Sequence, residues 1–376
     1  MSEIREIIDR MNWNITHISE TIQKRKENGQ KIIGVLPIYA PEELIHAAGM
    51  FPVGCWGGST PISKAAKYFP AFACSIMQAV MEYAEGGAYK DLDGFVVSAP
   101  CDTLKCVSQD LMTACPGKDV ICITYPQNNK PEHAVRFTMT ELYKVKAKLE
   151  KVCGHKIEDK DISRSIEIYN ENRLAMQEFY RITAENPGVI GAKDRHIVAK
   201  SSYFMDKEEH TTLVKALNAL LRQAEPTNWT GKKIVLAGII AEPNEVLDIL
   251  DEMHLAVVAD ELAHENRQFR TLVPQGIDQL ERLARQYQNM EACSVIYDPE
   301  KKRCQLIADL AKNHHADGVI YCQMKFCDPE EFDYPFVKKA CEEAEIPLLN
   351  LEVDQLTETA GQARTRIQAF AEMLDM

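Results

Sequence analysis

Three of the 12 cysteines lie where a strand is predicted to end or a helix to begin. Cys101 follows the apolar strand DGFVVSAP, Cys327 follows the strand ADGVIYCQ, and Cys74 lies near the start of the helical segment PAFACSIMQAVMEYAEGG. A helix N-terminus lowers the pKa of a thiol and favours anionic ligands, and cysteine thiolates are the main ligands of iron–sulfur clusters. These three positions are therefore suited to binding iron. Their wide spacing leaves a second interpretation open, in which each is a small buried apolar side chain.

The remaining nine cysteines give weaker indications. Five lie inside predicted strands or helices and are interpreted as small buried side chains: Cys122, Cys153, Cys293, Cys304 and Cys341. Four lie near a loop or near one of the three positions above: Cys55, Cys106, Cys115 and Cys322.

Other site chemistries have less support in the sequence. Structural zinc requires four Cys or His ligands, usually with two close in sequence, and the histidines do not supply such a pair. His314 and His315 precede a predicted strand, and His46 lies within a predicted helix. The sequence contains no dinucleotide-binding GxGxxG after the first strand, no P-loop and no GxSxG motif. The loop from Gly57 to Thr60 could bind a phosphate through its backbone N–H groups, but such loops are common.

The elements that position these residues alternate between strands and helices. Short apolar runs such as KIIGVLPIY, DGFVVSAP and DVICITYP predict buried parallel strands, and the segments between them have helical periodicity. Long charged segments of helical period follow, and after PTNWTGKK five further runs predict strands: KIVLAGII, LAVVAD, CSVIYD, ADGVIYCQ and IPLLNLEVD. Strands alternating with helices indicate an α/β fold with parallel sheets.

We therefore predict two Rossmann-like domains with parallel sheets, plus helical segments. The first α/β domain carries Cys74 and Cys101, and the second carries Cys327. The predicted units are an N-terminal helix at 1–30, the first α/β domain at 31–137, a helical segment at 138–228 and the second α/β domain at 229–376. Ligands of open α/β sheets bind beyond the carboxyl ends of the strands, which is where these cysteines are expected to lie.

Composition excludes several classes of protein. Hydrophobic residues make up 45% and charged residues 26% of the chain, which is typical of a globular protein and not of a disordered chain, a collagen or a coiled-coil rod. The net charge of −13 disfavours binding to nucleic acid. The charged N-terminus predicts no secretory signal, and the absence of an apolar run of about 18 residues predicts no membrane span. We therefore expect a cytoplasmic protein with reduced thiols.

Several segments resemble one known family. GVLPIYAPEELIHAAGMFPVGCWGG, FPAFACSIMQ, APCDTLKC, MKFCDPEEFDYP and IPLLNLEVDQ are similar to the β subunits of 2-hydroxyacyl-CoA dehydratases, especially those acting on lactoyl-CoA and 2-hydroxyglutaryl-CoA. The resemblance extends from about residue 30 to the C-terminus. It implies a heterodimeric, oxygen-sensitive component with a 4Fe-4S cluster in each subunit, held by three cysteines with a non-protein ligand on the fourth iron. The matching motifs place these ligands at Cys74, Cys101 and Cys327, with Cys106 or Cys322 as a swapped or extra ligand left open.

The resemblance also implies the reaction and the partners. The family converts a 2-hydroxyacyl-CoA to a 2-enoyl-CoA in anaerobic fermentation and amino-acid degradation. An ATP-dependent iron–sulfur activator injects one electron, a ketyl radical forms on the thioester, and the α-hydroxyl leaves. The partner is a larger α subunit whose cluster binds the substrate, so this subunit's cluster is expected to relay the electron. A flavin (FMN) in the complex is left open.

No catalytic base is assigned in this chain. The charged residues beside the motifs are equally well explained as helix-start or solvated side chains: Glu42, Glu43, Lys105, Glu330 and Glu331. Tyr39, Trp56 and Phe326 are candidates for shielding the cluster from water, with simple packing as the alternative. Three other functions remain open: a subunit of the benzoyl-CoA reductase type, a double-cubane electron-transfer protein and a metal-free binding module.

Overall fold

In the part of the chain that the structure describes, the apolar β-branched runs form two parallel sheets of four strands each. The computed structural model describes residues 2–355 and 360–375; residues 1, 356–359 and 376 lie outside the described part. The strands are β1 (Ile32–Leu36), β2 (Phe51–Gly54), β3 (Gly94–Ser98), β4 (Asp119–Ile123), β5 (Lys232–Gly238), β6 (Leu255–Leu262), β7 (Gly318–Met324) and β8 (Leu348–Val353). The sheet orders are β2-β1-β3-β4 and β6-β5-β7-β8, so both halves follow the same topology. The predicted α/β class is confirmed, and the arrangement is consistent with two Rossmann-like domains.

Helices fill the intervals between the strands, and four consecutive helices in the middle of the chain, here called the helical layer, pack against both halves. In the first half they are α1 (Ser2–Thr16), α2 (Ile18–Glu27), α3 (Glu42–Ala47), α4 (Ser75–Glu85) and α5 (Asp102–Ala114). The helical layer comprises α6 (Glu132–Cys153), α7 (Asp159–Glu185), α8 (Ala192–Ser201) and α9 (Lys207–Gln223). The second half contains α10 (Asn244–Glu252), α11 (Asn266–Phe269), α12 (Gln279–Asn289), α13 (Lys302–Asn313), α14 (Asp328–Glu343) and α15 (Ala360–Leu374). No helix within the described residues is long and apolar enough to cross a membrane.

The N-terminal segment differs from the single helix that its periodicity predicts. The helix breaks at His17, so that α1 and α2 are separate. The Thr16 hydroxyl donates to the Asn12 carbonyl oxygen at 3.0 Å, and such side-chain bonds compete with helix continuation. α1 buries Ile4 and Ile8 against α8 and α9, whereas α2 contains no fully buried residue. The two segments therefore have different packing roles.

The predicted strand CSVIYD is wrong, because residues 293–298 form a turn. Its apolar residues are buried without strand pairing: Cys293 and Ile296 pack in a small cluster with Ile38, Trp56 and Tyr203. An apolar run of this length does not distinguish a strand from a buried turn. Within the described residues the second sheet therefore has four strands, not five.

The carboxyl edges of the two sheets meet at the side chain of Gln355, just beyond β8. Its Nε2 donates to the Trp56 carbonyl oxygen at 2.9 Å, and its Oε1 accepts from the Gly58 N–H at 2.9 Å. Its backbone N–H donates to the Ser75 hydroxyl at 3.1 Å, and that hydroxyl lies 3.3 Å from the Met324 sulfur. These contacts connect the loop after β2 and the start of α4 to the ends of β7 and β8. They place the two strand-end regions side by side.

His210 in the helical layer is fully buried and electrically neutral. Its Nδ1 lies 2.8 Å from the donor Nδ2 of Asn172, and its Nε2 lies 2.9 Å from the Val198 carbonyl oxygen. This environment requires an Nδ1 that accepts and an Nε2 that donates, which is the neutral ring. Burial accordingly lowers the pKa of His210 to about 3.

This histidine predicts a pH dependence of stability. Between the ordinary histidine pKa of about 6.5 and the folded value of about 3, the unfolded chain binds a proton at His210 that the folded chain does not. His210 is therefore expected to lower the free energy of unfolding by up to about 1.4 kcal/mol for each pH unit as pH falls through this window. Urea unfolding from pH 7 to pH 5 should show a steeper loss for wild type than for His210→Gln. Equal slopes would contradict the assignment.

Candidate metal centre

The three cysteines predicted as ligands each lie immediately before a helix. Cys74 precedes α4, Cys101 precedes α5 and Cys327 precedes α14, and each occupies the N-cap position. Cys101 follows β3 and Cys327 follows β7, which are the third strands of the two halves in chain order. The two thiols therefore occupy equivalent places in the two sheets.

The fold brings the three thiols into one neighbourhood. All three pack against the same apolar cluster, which extends across both halves and includes Ile76, Met324 and Val353. Burial is the main cause of the raised pKa of Cys327, and negative charge on Cys74 or Cys101 would raise it further. The three thiols, although distant in sequence, are therefore close enough in the fold for the charge of one to affect the pKa of another.

Backbone N–H groups stabilise the thiolate form and so oppose the effect of burial, which raises the pKa of each thiol. Burial raises the pKa of Cys74 to about 11, while the N–H groups of Met77 and Ile76 lower it. Burial likewise raises the pKa of Cys101, and the N–H groups at the start of α5 lower it. Buried thiols are therefore protonated at neutral pH without a partner charge. An iron cluster would supply that charge, and the helix N-termini would stabilise the resulting thiolates.

The distances between the three sulfur atoms distinguish a site for an iron–sulfur cluster from a site for a single metal ion. In the described residues, Cys74, Cys101 and Cys327 do not form a group whose sulfur atoms all lie within 4.8 Å of one another. A single tetrahedral zinc ion needs its ligands that close, with each Zn–S bond about 2.3 Å long. In a 4Fe-4S cluster each cysteine binds a different iron, which suits more widely spaced sulfurs. The donor set of three thiols therefore fits a cluster better than zinc.

The other cysteines occupy different environments. Cys106 is exposed on α5, and Cys322 is fully buried within β7. Cys293, predicted to lie in a strand, is instead buried in the 293–298 turn, where its sulfur lies 2.9 Å from the Tyr39 hydroxyl. Neither Cys106 nor Cys322 is an N-cap residue, unlike the three predicted ligands.

Most of the other residues that the sequence analysis singled out take part in packing, ion pairs or hydrogen bonds. Trp56 packs edge-on against His264, and Phe326 is 39% exposed directly before Cys327. Glu43 forms a buried pair with Arg173 at 2.6 Å. This pair borders a cavity of about 70 Å³ that is also lined by Tyr39, Glu42 and Lys207. In the loop predicted as a phosphate seat, the N–H of Gly58 already bonds Gln355.

A buried ionic network lies next to the cysteine site, and sequence reasoning misses it. Arg303 donates to Glu261 at 2.7 Å and to Glu330 at 2.8 Å, and lies 3.3 Å from Asp333. Arg267 donates to Glu261 at 2.6 Å. All five side chains are 6% exposed or less. One signal is available in the sequence: Glu261 continues the apolar run LAVVAD, and a carboxylate in a buried strand requires a cationic partner.

A second buried network contains histidines. His196, His264 and Glu265 are the group in the described residues whose ligand atoms all lie within 4.8 Å of one another. His196 bonds Glu265 at 2.9 Å and Glu242 at 3.2 Å, and Lys200 also bonds Glu242. Burial lowers the pKa of His196, but these two carboxylates outweigh burial and raise it. We interpret this group as an ion-pair network, because Lys200 already pairs with Glu242 and Arg195 with Glu265.

The site and fold together define a class of protein. Two parallel α/β sheets present cysteines at facing carboxyl edges, with thiols contributed by both halves. The family model described as 2-hydroxyglutaryl-CoA dehydratase, D-component, matches residues 37–374.

Comparison with characterised proteins gives the same family. The chain is 46% identical to the (R)-phenyllactyl-CoA dehydratase beta subunit of Clostridium sporogenes, over 93% of each chain. It is 45% identical to the lactoyl-CoA dehydratase subunit beta of Anaerotignum propionicum, over the full length of both chains. A benzoyl-CoA reductase subunit from Thauera aromatica is more distant, at 23% identity over 94% of this chain and 93% of that one.

The chain therefore belongs to the family of 2-hydroxyacyl-CoA dehydratase D-components. The predicted resemblance and the assignment to the hydro-lyases are confirmed. The benzoyl-CoA reductase subunit, whose type the sequence analysis keeps as an alternative function, is a more distant relative than the dehydratase subunits.

The ionic network around Arg303 predicts a large effect on stability. Arg303→Met removes the shared partner of three buried carboxylates and is expected to lower the free energy of unfolding by about 3–5 kcal/mol. Arg364→Met, which removes a pair with Glu252 that is about half exposed, should lower the free energy of unfolding far less, because water screens an exposed ion pair. Urea unfolding of both variants and wild type measures the difference. Similar small effects would show that the network does not stabilise the fold.

Proposed function

We propose that this chain is the β subunit of an (R)-2-hydroxyacyl-CoA dehydratase, with a 4Fe-4S cluster held by Cys74, Cys101 and Cys327. The observation that carries the proposal is the gathering of three helix N-cap thiols at the facing edges of the two sheets. N-terminal N–H groups and helix dipoles stabilise thiolates and the negative charge of a cluster. Three protein thiols leave the fourth iron to a non-protein ligand.

The reaction explains why the family needs iron–sulfur chemistry. The β-proton of a 2-hydroxyacyl-CoA is not acidic and its α-hydroxyl is a poor leaving group, so a general base alone meets a high barrier. One electron on the thioester carbonyl gives a ketyl radical that expels the hydroxyl. The β-proton then becomes acidic and is lost to a base, and return of the electron yields the 2-enoyl-CoA. When bound, the cluster would supply low-potential one-electron chemistry.

Side chains of this subunit have three tasks in the proposal. The three thiols bind the irons, and the helix N-termini hold the thiols in place. The apolar cluster beneath the thiols excludes water from the protein side of the site. Two exposed aromatic side chains are close in sequence to the proposed ligands: Phe72, two residues before Cys74, and Phe326, directly before Cys327. We assign no catalytic base to this chain.

The proposed partners are a larger α subunit, an ATP-dependent iron–sulfur activator and a 2-hydroxyacyl-CoA. The names of the relatives as beta subunits support the first. Greater identity to the dehydratase subunits than to the benzoyl-CoA reductase subunit supports a 2-hydroxyacyl-CoA as substrate. No observation supports the flavin, and the proposal does not include one. We place the activity in the cytoplasm of an anaerobically fermenting cell that degrades amino acids.

Metal content tests the proposed ligands. Protein purified without oxygen should contain about 4 iron and 4 sulfide per chain, and Cys74→Ser, Cys101→Ser and Cys327→Ser should each lose most of both. Cys106→Ser, at an exposed position on α5, is the matched control and should retain them. About twice the iron content would indicate a double-cubane protein. Absence of iron from a folded wild type would indicate a metal-free binding module.

Turnover tests the reaction. The chain, combined with its α subunit, activator, ATP and a reductant, should convert lactoyl-CoA or phenyllactyl-CoA to the enoyl-CoA. Cys101→Ser should lower the rate at least about 100-fold, because the cluster that relays the electron loses one of its ligands. Cys106→Ser should leave the rate unchanged. The measurement is enoyl-CoA formation followed by chromatography. Reduction of benzoyl-CoA, with no dehydration, would favour the reductase alternative.

A further inference from the structure

The cavity of about 70 Å³ lies between the first sheet, the helical layer and α12, and no cysteine lines it. Tyr39 and Glu43, which follow β1, line one wall, and Tyr125, which follows β4, lines it too. β1 and β3 are the central strands of this sheet, and the chain leaves them in opposite directions towards β2 and β4. Ligands of open α/β sheets bind beyond the carboxyl ends of the strands at such a reversal. The cavity adjoins one of these two strand ends.

Four charged side chains line the cavity, two of each sign. Glu43 and Lys207 are 3% and 7% exposed, and the side chains of Glu42 and Arg173 are also largely buried. Burial raises the pKa of the tyrosines that line the cavity, so their hydroxyls stay protonated: Tyr39, Tyr125, Tyr169, Tyr203 and Tyr287. The lining therefore carries no net charge.

The two most deeply buried of these charges have unused hydrogen-bonding capacity. Oε1 of Glu43 accepts from Nη2 of Arg173 at 2.6 Å, and within the described residues no hydrogen bond reaches Oε2. Nζ of Lys207 donates to the Ser202 carbonyl oxygen at 2.8 Å and lies 3.3 Å from Oε2 of Glu42. An ammonium group has three N–H donors, so one remains for a ligand. A buried carboxylate oxygen without a donor is unfavourable, and a ligand that donates to it would remove this penalty.

Tyrosine rings and the cavity volume limit what such a ligand can be. Nζ of Lys207 lies 5.0 Å from the ring centroid of Tyr169 and 5.9 Å from that of Tyr203, so both rings hold the amine beside the cavity. An anionic group of a ligand would bind Lys207, and a cationic group would bind Glu43. The cavity has room for on the order of five water molecules, so the ligand has about five or six non-hydrogen atoms.

We propose that this cavity binds a small zwitterion, an α-amino acid of the size of glycine or alanine. The carboxylate of the ligand accepts from Lys207, and its ammonium group donates to the free Oε2 of Glu43. A lining with two positive and two negative charges disfavours an ion of a single charge, because binding such an ion would leave one buried charge unbalanced. The site uses no residue of the proposed metal centre, so this inference does not depend on the proposed function.

The test measures binding to the full-length chain, purified without oxygen, by isothermal titration calorimetry with glycine and L-alanine as probes. Acetate and methylammonium, which each carry one of the two charges, are the comparison probes. Both amino acids should bind at least about tenfold more tightly than either ion, and each should raise the midpoint of thermal unfolding as its concentration increases. Glu208→Gln, at a half-exposed position on α9 that does not line the cavity, is the matched control and should leave binding unchanged.

Charge-changing variants distinguish a zwitterion site from a site for a simple ion. Glu43→Gln leaves the lining with one excess positive charge, so L-alanine should bind at least about tenfold more weakly than to wild type and acetate more tightly. Lys207→Gln leaves one excess negative charge, and methylammonium should then bind more tightly than to wild type. A general loss of structure would weaken the binding of every probe and would not produce these opposite responses.

A third variant tests the site if the charge changes prevent folding. Ala40→Val narrows the cavity without changing its charge and should abolish the binding of L-alanine. Equal affinity of the wild type for acetate and L-alanine, no binding of either amino acid, or unchanged binding in Ala40→Val would each overturn this inference. None of these results bears on the iron content of the chain, which tests the proposed function separately.

Discussion

The contact between the two sheets at Gln355 is the constraint on which the candidate centre depends. Its side-chain amide bonds the loop after β2 and the Glu242 carboxylate, while its backbone bonds Ser75 at the start of α4. Cys74 is the neighbour of Ser75, so the same contact that joins the sheets also positions a proposed ligand. Parallel sheets expose their reactive edge at the strand carboxyl ends, and here two such edges close on each other.

Charge burial is the second organising feature of this interface. Two networks, one around Arg303 and one around His196, occupy the region beyond the second sheet. Each pairs buried carboxylates with cations, which limits the cost of desolvation. Such networks require correct geometry, so they favour one arrangement of the surrounding loops. The loops that carry Cys327 and the 293–298 turn are among those they hold.

Local signals in the sequence are sufficient for much of this arrangement. Apolar β-branched runs predict the strands, and the position of Cys101 between a strand and a helix start predicts its N-cap geometry. The pairing of Arg303 with Glu330 and the role of Gln355 cannot be predicted, because each joins elements that are distant in sequence. The 293–298 turn is mistaken for a strand for a related reason. Its apolar residues are buried against residues distant in sequence, and a buried turn has the same apolar pattern as a short strand.

The repeated strand order is what duplication of a single ancestral unit would produce. Duplication of one ancestral unit produces a protein that folds the same way twice, and Cys101 and Cys327 would then descend from a single position. Cys74 breaks this pseudo-symmetry. The helix before β7, which corresponds to α4, begins after Lys301, not after a cysteine. In such a history the two halves diverged at this position, one keeping a thiol where the other keeps a cation.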